Sequence, residues 1–251
     1  MVGGAIQRYF ESGEQELFFY DKFKNAGSLE EINKADVIFI AVPTPFDNIK
    51  GFDASAVEDA IKNISGSKII VIKSTVVPGT IESLQERYPQ HKILFNPEFL
   101  TEATADHDMQ HPDRQIIGYT KNSFDVAEDV LKILPDAQFK KIIPATEAEL
   151  VKYFSNCFYS VKVVYANQVY DLCQKLGINY DFVKECGLAD KWIGKNHLEV
   201  FHKGYRGYGG SCLPKDIRAL IELGDKIGVD MKLLKTTESI NNELKNNGKG
   251  N

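Results

Sequence analysis

Val37-Ile38-Phe39-Ile40-Ala41-Val42 runs into Pro43-Thr44-Pro45, Ala54 to Ile64 follows with helical periodicity, and Ile69-Ile70-Val71-Ile72 then runs into Lys73-Ser74-Thr75. Two near-continuous β-branched runs joined by one amphipathic helix make a strand–helix–strand unit. Strands apolar on both faces belong to a parallel sheet covered on both sides. The alternation extends outward. Upstream lie Leu17-Phe18-Phe19-Tyr20 and the helical Ser28 to Lys34; downstream lie the helical Gly79 to Tyr88, then Ile93-Leu94-Phe95 and Gln115-Ile116-Ile117-Gly118. The expected fold class is α/β, a Rossmann-like parallel sheet with helices on both faces, over residues 1–144. Ligands of such sheets sit outside the carboxyl ends of the strands, so chemistry is sought in the loops after these runs.

From about Thr146 the texture changes to a helix without a breaker until Gly177. Leu150, Phe154, Cys157, Phe158, Val161, Tyr165, Val169, Leu172 and Leu176 recur at three- and four-residue spacing, one apolar stripe along a helix of about 45 Å. This predicts an all-helical central domain over residues 145–251, built on the long helix, whose residues 146–176 offer a face to a second copy in a homodimer. Gly177 and Asn179 end the helix, a glycine-rich loop runs from Gly204 to Gly210, and Pro214 opens another helix to about Ile227. The tail, Asn246 to Asn251, reads as disordered.

The 251 residues are 43% hydrophobic, with 30 Lys+Arg against 35 Asp+Glu and a formal net charge of −5, which excludes disorder and collagen. No run of about eighteen apolar residues occurs, and no basic stretch precedes an apolar one near the start, so neither a membrane span nor a signal peptide is expected. A cytoplasmic protein is, with Cys157, Cys173, Cys186 and Cys212 as reduced thiols. No Lys/Arg cluster is large enough to track nucleic-acid phosphates. His107 and His111 have the spacing of a helical metal pair, but no third ligand accompanies them and Pro112 follows at once, so no metal is expected.

Met1-Val2-Gly3-Gly4-Ala5-Ile6 opens a helix, and Asp21 closes the next run eighteen residues after Gly3. A dinucleotide site needs a glycine where a helix start approaches pyrophosphate, and an acid near that distance for the ribose hydroxyls. The strand and the two earlier glycines of G-x-G-x-x-G would lie upstream of Met1. Gly3-Gly4 as a frayed terminus and Asp21 as a solvated turn residue are the alternatives. A carboxylate repels a 2′-phosphate, which favours NAD over NADP. Cys212 stands at a helix start behind four glycines that let a substrate approach the backbone, with Lys215 close in sequence; it reads as a nucleophile. Cys157 and Cys173 fall on the apolar stripe and read as packing, and Cys186 has no motif. Before the thiol, His202, Lys203, Tyr205, Arg206 and Tyr208 form a basic, aromatic loop, in which Arg206 is either a phosphate contact or part of an exposed hinge.

Four segments narrow the reading: Val42-Pro43-Thr44-Pro45; Lys73-Ser74-Thr75-Val76-Val77-Pro78-Gly79-Thr80; Asn96-Pro97-Glu98-Phe99-Leu100-Thr101-Glu102, extended by Pro112-Asp113-Arg114; and Gly207-Tyr208-Gly209-Gly210-Ser211-Cys212-Leu213-Pro214-Lys215-Asp216. In this order and spacing the chain resembles the nucleotide-sugar dehydrogenases of the UDP-glucose/GDP-mannose dehydrogenase family from its first residues to about Asn242. The resemblance implies NAD-dependent oxidation of a sugar-nucleotide alcohol to a carboxylate, UDP-glucose foremost, in two hydride transfers with the carbon held on Cys212. It implies that Lys152 and Asn156 donate to the developing oxyanion and that Asp216 orients a water or receives the alcohol proton. Glu98 becomes the base toward the water that cleaves the thioester, and Thr75 positions that water. Gly3, Asp21, Pro43, Thr44, Thr75, Glu102 and Lys215 fall to the cofactor. Phe99, Leu100, Lys152, Asn156, Tyr205, Arg206, Tyr208 and Gly209 fall to the substrate.

Two departures from the pattern are expected to matter. The chain begins after the family's first strand and stops near Asn251, where the family continues into a third α/β domain over the nucleotide. A truncated chain or a partner that completes the site follows from this, with affinity and turnover reduced. A non-catalytic remnant that keeps the fold and the interface helix is the competing reading. A cysteine hydrolase using Cys212 with His202 is the third, and no oriented Cys–His–acid set supports it.

Overall fold

The computed structural model describes residues 1–13 and 15–247. The chain folds as two compact units, Met1–Lys152 and Tyr153–Asn251. The first opens with α1 (Val2–Glu11), the short ribbon β1 (Tyr20–Asp21) and β2 (Ala26–Gly27), and α2 (Leu29–Ile32). Strand β3 (Val37–Ile40), a second ribbon of β4 (Phe46–Asp47) and β5 (Gly51–Phe52), α3 (Ser55–Lys62), β6 (Ile69–Ile72) and α4 (Thr80–Arg87) follow. Then come β7 (Lys92–Phe95), α5 (Ala105–Gln110), β8 (Arg114–Tyr119), α6 (Ala127–Ile133), β9 (Phe139–Pro144) and α7 (Ala145–Leu176).

The described residues form a five-stranded sheet in the order β3-β6-β7-β8-β9. Successive side chains of a strand point to opposite faces. Ile70 and Ile72 therefore join one core with Ile93, Phe95, Val57, Ile61, Ile81 and Leu84, under α3 and α4. Val71, Leu94 and Ile117 join another with Ala127, Val130 and Leu134, under α6. Each fully buried Val, Ile, Leu or Phe among these contributes about 1.5–3 kcal/mol. Both faces are covered, as the runs predict.

Pairing is parallel from β3 through β7, with Val37 opposite Ile69 and Ile69 opposite Lys92. Strand β8 then runs antiparallel to β7, Leu94 facing Tyr119 and Phe95 facing Gly118, and β9 runs parallel to β8. The expected parallel sheet with helices on both faces is present, with one antiparallel neighbour pair, β7–β8, that makes it mixed. A parallel crossover needs a helix that carries the chain back along the sheet. The six-residue α5 instead packs its Met109 against Ala5, Ile6 and Phe10 of α1. Strand β9 was not expected at all: Phe139-Lys140-Lys141 is exposed, the lysine-bearing pattern of an edge strand.

Leu17 to Tyr20 is not a sheet strand. Tyr20 and Asp21 pair only with Gly27 and Ala26, and among the described residues no sheet strand flanks them to supply a ladder. Gly27 lies at φ +70, where a Cβ would stand 1.7 Å from the Phe19 carbonyl oxygen. The Asp21 carboxylate accepts from the N–H groups of Phe23 and Lys24, closing its own turn.

The boundary between the two compact units falls inside α7. Ala145 and Ala148 belong to the core of the sheet. Glu149 is buried and accepts from the N–H groups of Gly79 and Ile81, at 2.6 and 2.8 Å, at the start of α4. Burial pushes its carboxyl up to about 8 against those backbone donors.

In the second unit, α8 (Tyr180–Gly187), the ribbon β10 (Phe201–His202) and β11 (Tyr205–Arg206), α9 (Leu213–Ile227) and α10 (Lys232–Asn247) follow α7. The apolar stripe of α7 is in fact two faces. Cys157, Val163 and Val164 enter one core with Tyr208, Ile217 and Leu234, and Ala166 and Cys173 enter another with Tyr180, Leu198 and Val200. Phe154, Phe158, Tyr165, Leu172 and Leu176 stay exposed. Gly177, at φ +67, ends the helix as expected, and α9 ends at Gly228, also left-handed. Of the tail read as disordered, Asn246 and Asn247 are helical and the remainder lies outside the described residues.

Candidate active site

In the first unit, the loops after β3, β6 and β7 are tied to one another. Ser74 Oγ donates to the Val42 carbonyl at 2.7 Å and accepts from the Val42 N–H at 2.8 Å, while Thr44 Oγ1 donates to the Thr75 carbonyl at 2.7 Å. Thr44 is buried, Thr75 half-buried and Pro43 exposed. The Asn96–Leu100 loop carries Glu98, whose carboxylate pairs with Lys152 Nζ at 2.9 Å; the side chains are 10% and 7% exposed. The same ammonium donates to the Glu98 carbonyl at 2.7 Å, and the Leu100 N–H donates to Glu98 Oε2 at 2.9 Å. Loop, carboxylate and lysine are therefore one unit of geometry. The Phe99 ring lies under the Arg114 guanidinium, 3.7 Å from its centroid, with Lys152 Nζ at 5.7 Å.

Behind this pair sits a residue passed over in the sequence. Lys73 is buried and donates to Asn96 Oδ1 at 2.6 Å. Its place in the quoted Lys73-Ser74-Thr75 segment was the available signal; its burial was not visible there. Glu102 is exposed just before α5. His107 and His111 lie with ring centroids 5.0 Å apart, and among the described residues no group of three or more metal-ligating side chains forms.

The described residues fit a dinucleotide at the sheet's carboxyl edge. The first turn of α1 has no capping side chain and no acidic residue, which leaves its N–H groups and dipole open to an anion. At Gly3 the helix start lies against the end of β3, where a Cβ would be 3.7 Å from that of Ala41. Asp21 keeps one carboxylate oxygen in its turn, and the other has Lys24 at 3.8 Å.

In the second unit Cys212 is exposed at the N-terminus of α9, with Ser211 Oγ 3.7 Å from its sulfur. The preceding loop is shaped by α10. The Asn241 amide takes both backbone groups of Tyr208, accepting from its N–H at 2.7 Å and donating to its carbonyl at 3.1 Å. Gly207, at φ +77, would place a Cβ 2.5 Å from Asn241 Oδ1. Tyr208 is itself buried and donates to Glu238, which Arg218 also holds at 2.6 Å. Burial and Glu238 push this phenol far up. Tyr208 anchors this glycine-rich loop through its backbone and its side chain.

One turn beyond the thiol, Asp216 is 1% exposed. Its carboxylate accepts from Asn156 Nδ2 and from Lys215 Nζ, each at 2.5 Å. The structure thus brings Asn156, Lys215 and Asp216 together. It directs Arg206 elsewhere, onto Asn167 and Asp171 of α7 and over the Tyr170 ring. The Tyr205 hydroxyl stands where a Cβ at Gly209 would come within 2.7 Å. Burial and Asp216 push the Cys157 thiol up to about 12, consistent with a packing role. Glu238 and Asn241 in α10 and Arg218 in α9 were missed because nothing in either helix marks them locally.

Residues 11–134 match the NAD-binding domain of the UDP-glucose/GDP-mannose dehydrogenase family, and residues 146–243 match its central domain. A UDP-glucose 6-dehydrogenase of Rickettsia conorii is 37% identical over 236 residues, covering 90% of this chain and 53% of its own length. One from Bacillus subtilis is 31% identical over 255 residues, covering 95% and 57%. Among solved structures, a UDP-glucose dehydrogenase from Pyrobaculum islandicum superposes with TM-score 0.76 at 35% identity, over 86% of this chain and 52% of that one. The chain spans about half the length of the curated relatives it matches. It belongs to the UDP-glucose/GDP-mannose dehydrogenase family, of which it carries the NAD-binding and central domains.

Proposed function

We propose that the chain takes part in NAD-dependent oxidation of the C6 alcohol of a nucleotide sugar, UDP-glucose, to the carboxylate through a covalent Cys212 intermediate. The observation that carries this reading is the exposed thiol at the start of α9, with Asp216 one turn on holding Asn156 and Lys215. NAD, when bound, accepts the hydride at each of two oxidations. Cys212 sulfur adds to the aldehyde carbon to give a thiohemiacetal, which loses a second hydride and a proton to become a thioester. Water then cleaves the C–S bond and returns the thiol.

Lys152 and Asn156 present N–H donors to the oxygen that gains charge in each addition, where fixed donors in a dry site are worth several kcal/mol. Asp216, with both oxygens engaged, fixes Asn156 and Lys215. Glu98 takes the proton of the attacking water and Thr75 orients it. We further propose a homodimer through the exposed apolar face of α7.

The test is incubation with NAD and UDP-glucose, read as NADH absorbance and as uronate by mass spectrometry. Two NADH per uronate are expected, and Cys212→Ser should release no acid. Uronate formed by that variant at the wild-type rate would overturn the covalent route. NAD binding with no NADH formed would establish instead a chain that binds the cofactor without turnover.

A further inference from the structure

The Glu98–Lys152 pair is neutral as a whole, yet the reaction proposed for it builds negative charge. Lys73 supplies what the pair lacks. The residue is 4% exposed just after β6, and its ammonium reaches Asn96 Oδ1 at 2.6 Å. Asn96 is fully buried and oriented by its other end, where Nδ2 donates to the Ile116 carbonyl at 2.7 Å and to Gln115 Oε1 at 3.2 Å. The amide can turn only its oxygen toward the lysine. An amide oxygen is a neutral partner, and a buried ammonium on a neutral partner is costly where an apolar side chain would fill the same space without penalty.

We infer that Lys73 is a positioning residue of the Glu98–Lys152 pair: a second buried ammonium, aimed by Asn96, that leaves one carboxylate and two ammoniums with a net positive charge for an oxyanion forming at Lys152. The inference rests on the functional reading above, whose oxyanion it serves. Its coupling to the pair does not depend on turnover. Desolvation pulls the Lys73 ammonium down to about 8, Glu98 opposes that shift and Lys152 adds to it. These are the charged groups acting on it, and coupling between two sites is reciprocal, so what Lys73 feels from the pair the pair feels from Lys73.

Lysines carrying 13C at Cε, followed by NMR through the alkaline range in the whole chain, test this directly, with Lys73 assigned from Lys73→Arg. The Lys73 signal is expected to titrate near 8, to move upward in Lys152→Met and downward in Glu98→Gln. Titration together with the surface lysines, or a midpoint indifferent to both substitutions, overturns the inference. In the NADH assay Lys73→Met should lower kcat about tenfold with KM for NAD held within about twofold, and Lys73→Arg should restore most of it. An unchanged kcat in Lys73→Met also overturns it. A chain that forms no NADH but shows the coupled titration refutes the functional reading and supports the coupling; one that turns over without the coupling refutes Lys73 alone.

Discussion

At Gly118 α7 lies close against the sheet. A Cβ there would stand 2.7 Å from that of Ala148, 3.0 Å from Ala145 Cα and 3.2 Å from Phe95 Cβ, so helix and strand meet through the space a side chain would need. Gly118→Ala should cost about 1–3 kcal/mol by overpacking, read as a lower urea midpoint at unchanged slope; an unchanged midpoint would show that the helix gives way freely. Other residues show how type and partner differ. Arg206 and Tyr208 have the chemistry of ligand contacts, but Asp171 and Glu238 engage them. A residue's chemistry is written in its side chain. Which group satisfies it depends on distant chain.

At the scale of elements, α7 joins two roles. Its first turns are held by the sheet and by the start of α4, through Ala148 and Glu149. Further on it packs the second unit with one face and leaves Phe154 at 76% and Phe158 at 57% exposed on another. Apolar patches of that kind mark protein contacts. Phe154→Glu with Phe158→Glu should halve the mass measured by light scattering while the far-ultraviolet helix signal is retained. A wild-type chain of monomer mass would remove the proposed dimer. Strand β8 carries a different lesson: Gln115 to Gly118 within it read as a strand, and its reversal against β7 goes with where α5 packs.

For the whole molecule, NAD bound only by the folded state should raise stability by about 2.7 kcal/mol at a hundredfold excess over Kd, read as a higher Tm. Asp21→Ala should shrink that gain while Asp21→Asn, whose amide oxygen can still close the turn, separates loss of charge from loss of the turn. No shift in the wild-type chain would end the case for a dinucleotide site. What was legible in the sequence were the features that repeat locally. The β-branched runs, the helical periods and the glycine stops follow from backbone and burial preferences within a few residues, and the motif segments contained Cys212, Glu98 and Asp216, while Lys152 and Asn156 entered only through the family resemblance. Only the tertiary structure decided the direction of β8, the loss of Leu17–Tyr20 from the sheet, the division of the α7 stripe into two faces, and the places of Lys73 and Asn241. Each of those depends on which remote groups come together, and burial, charge coupling and ladder pairing are properties of that proximity rather than of any segment alone.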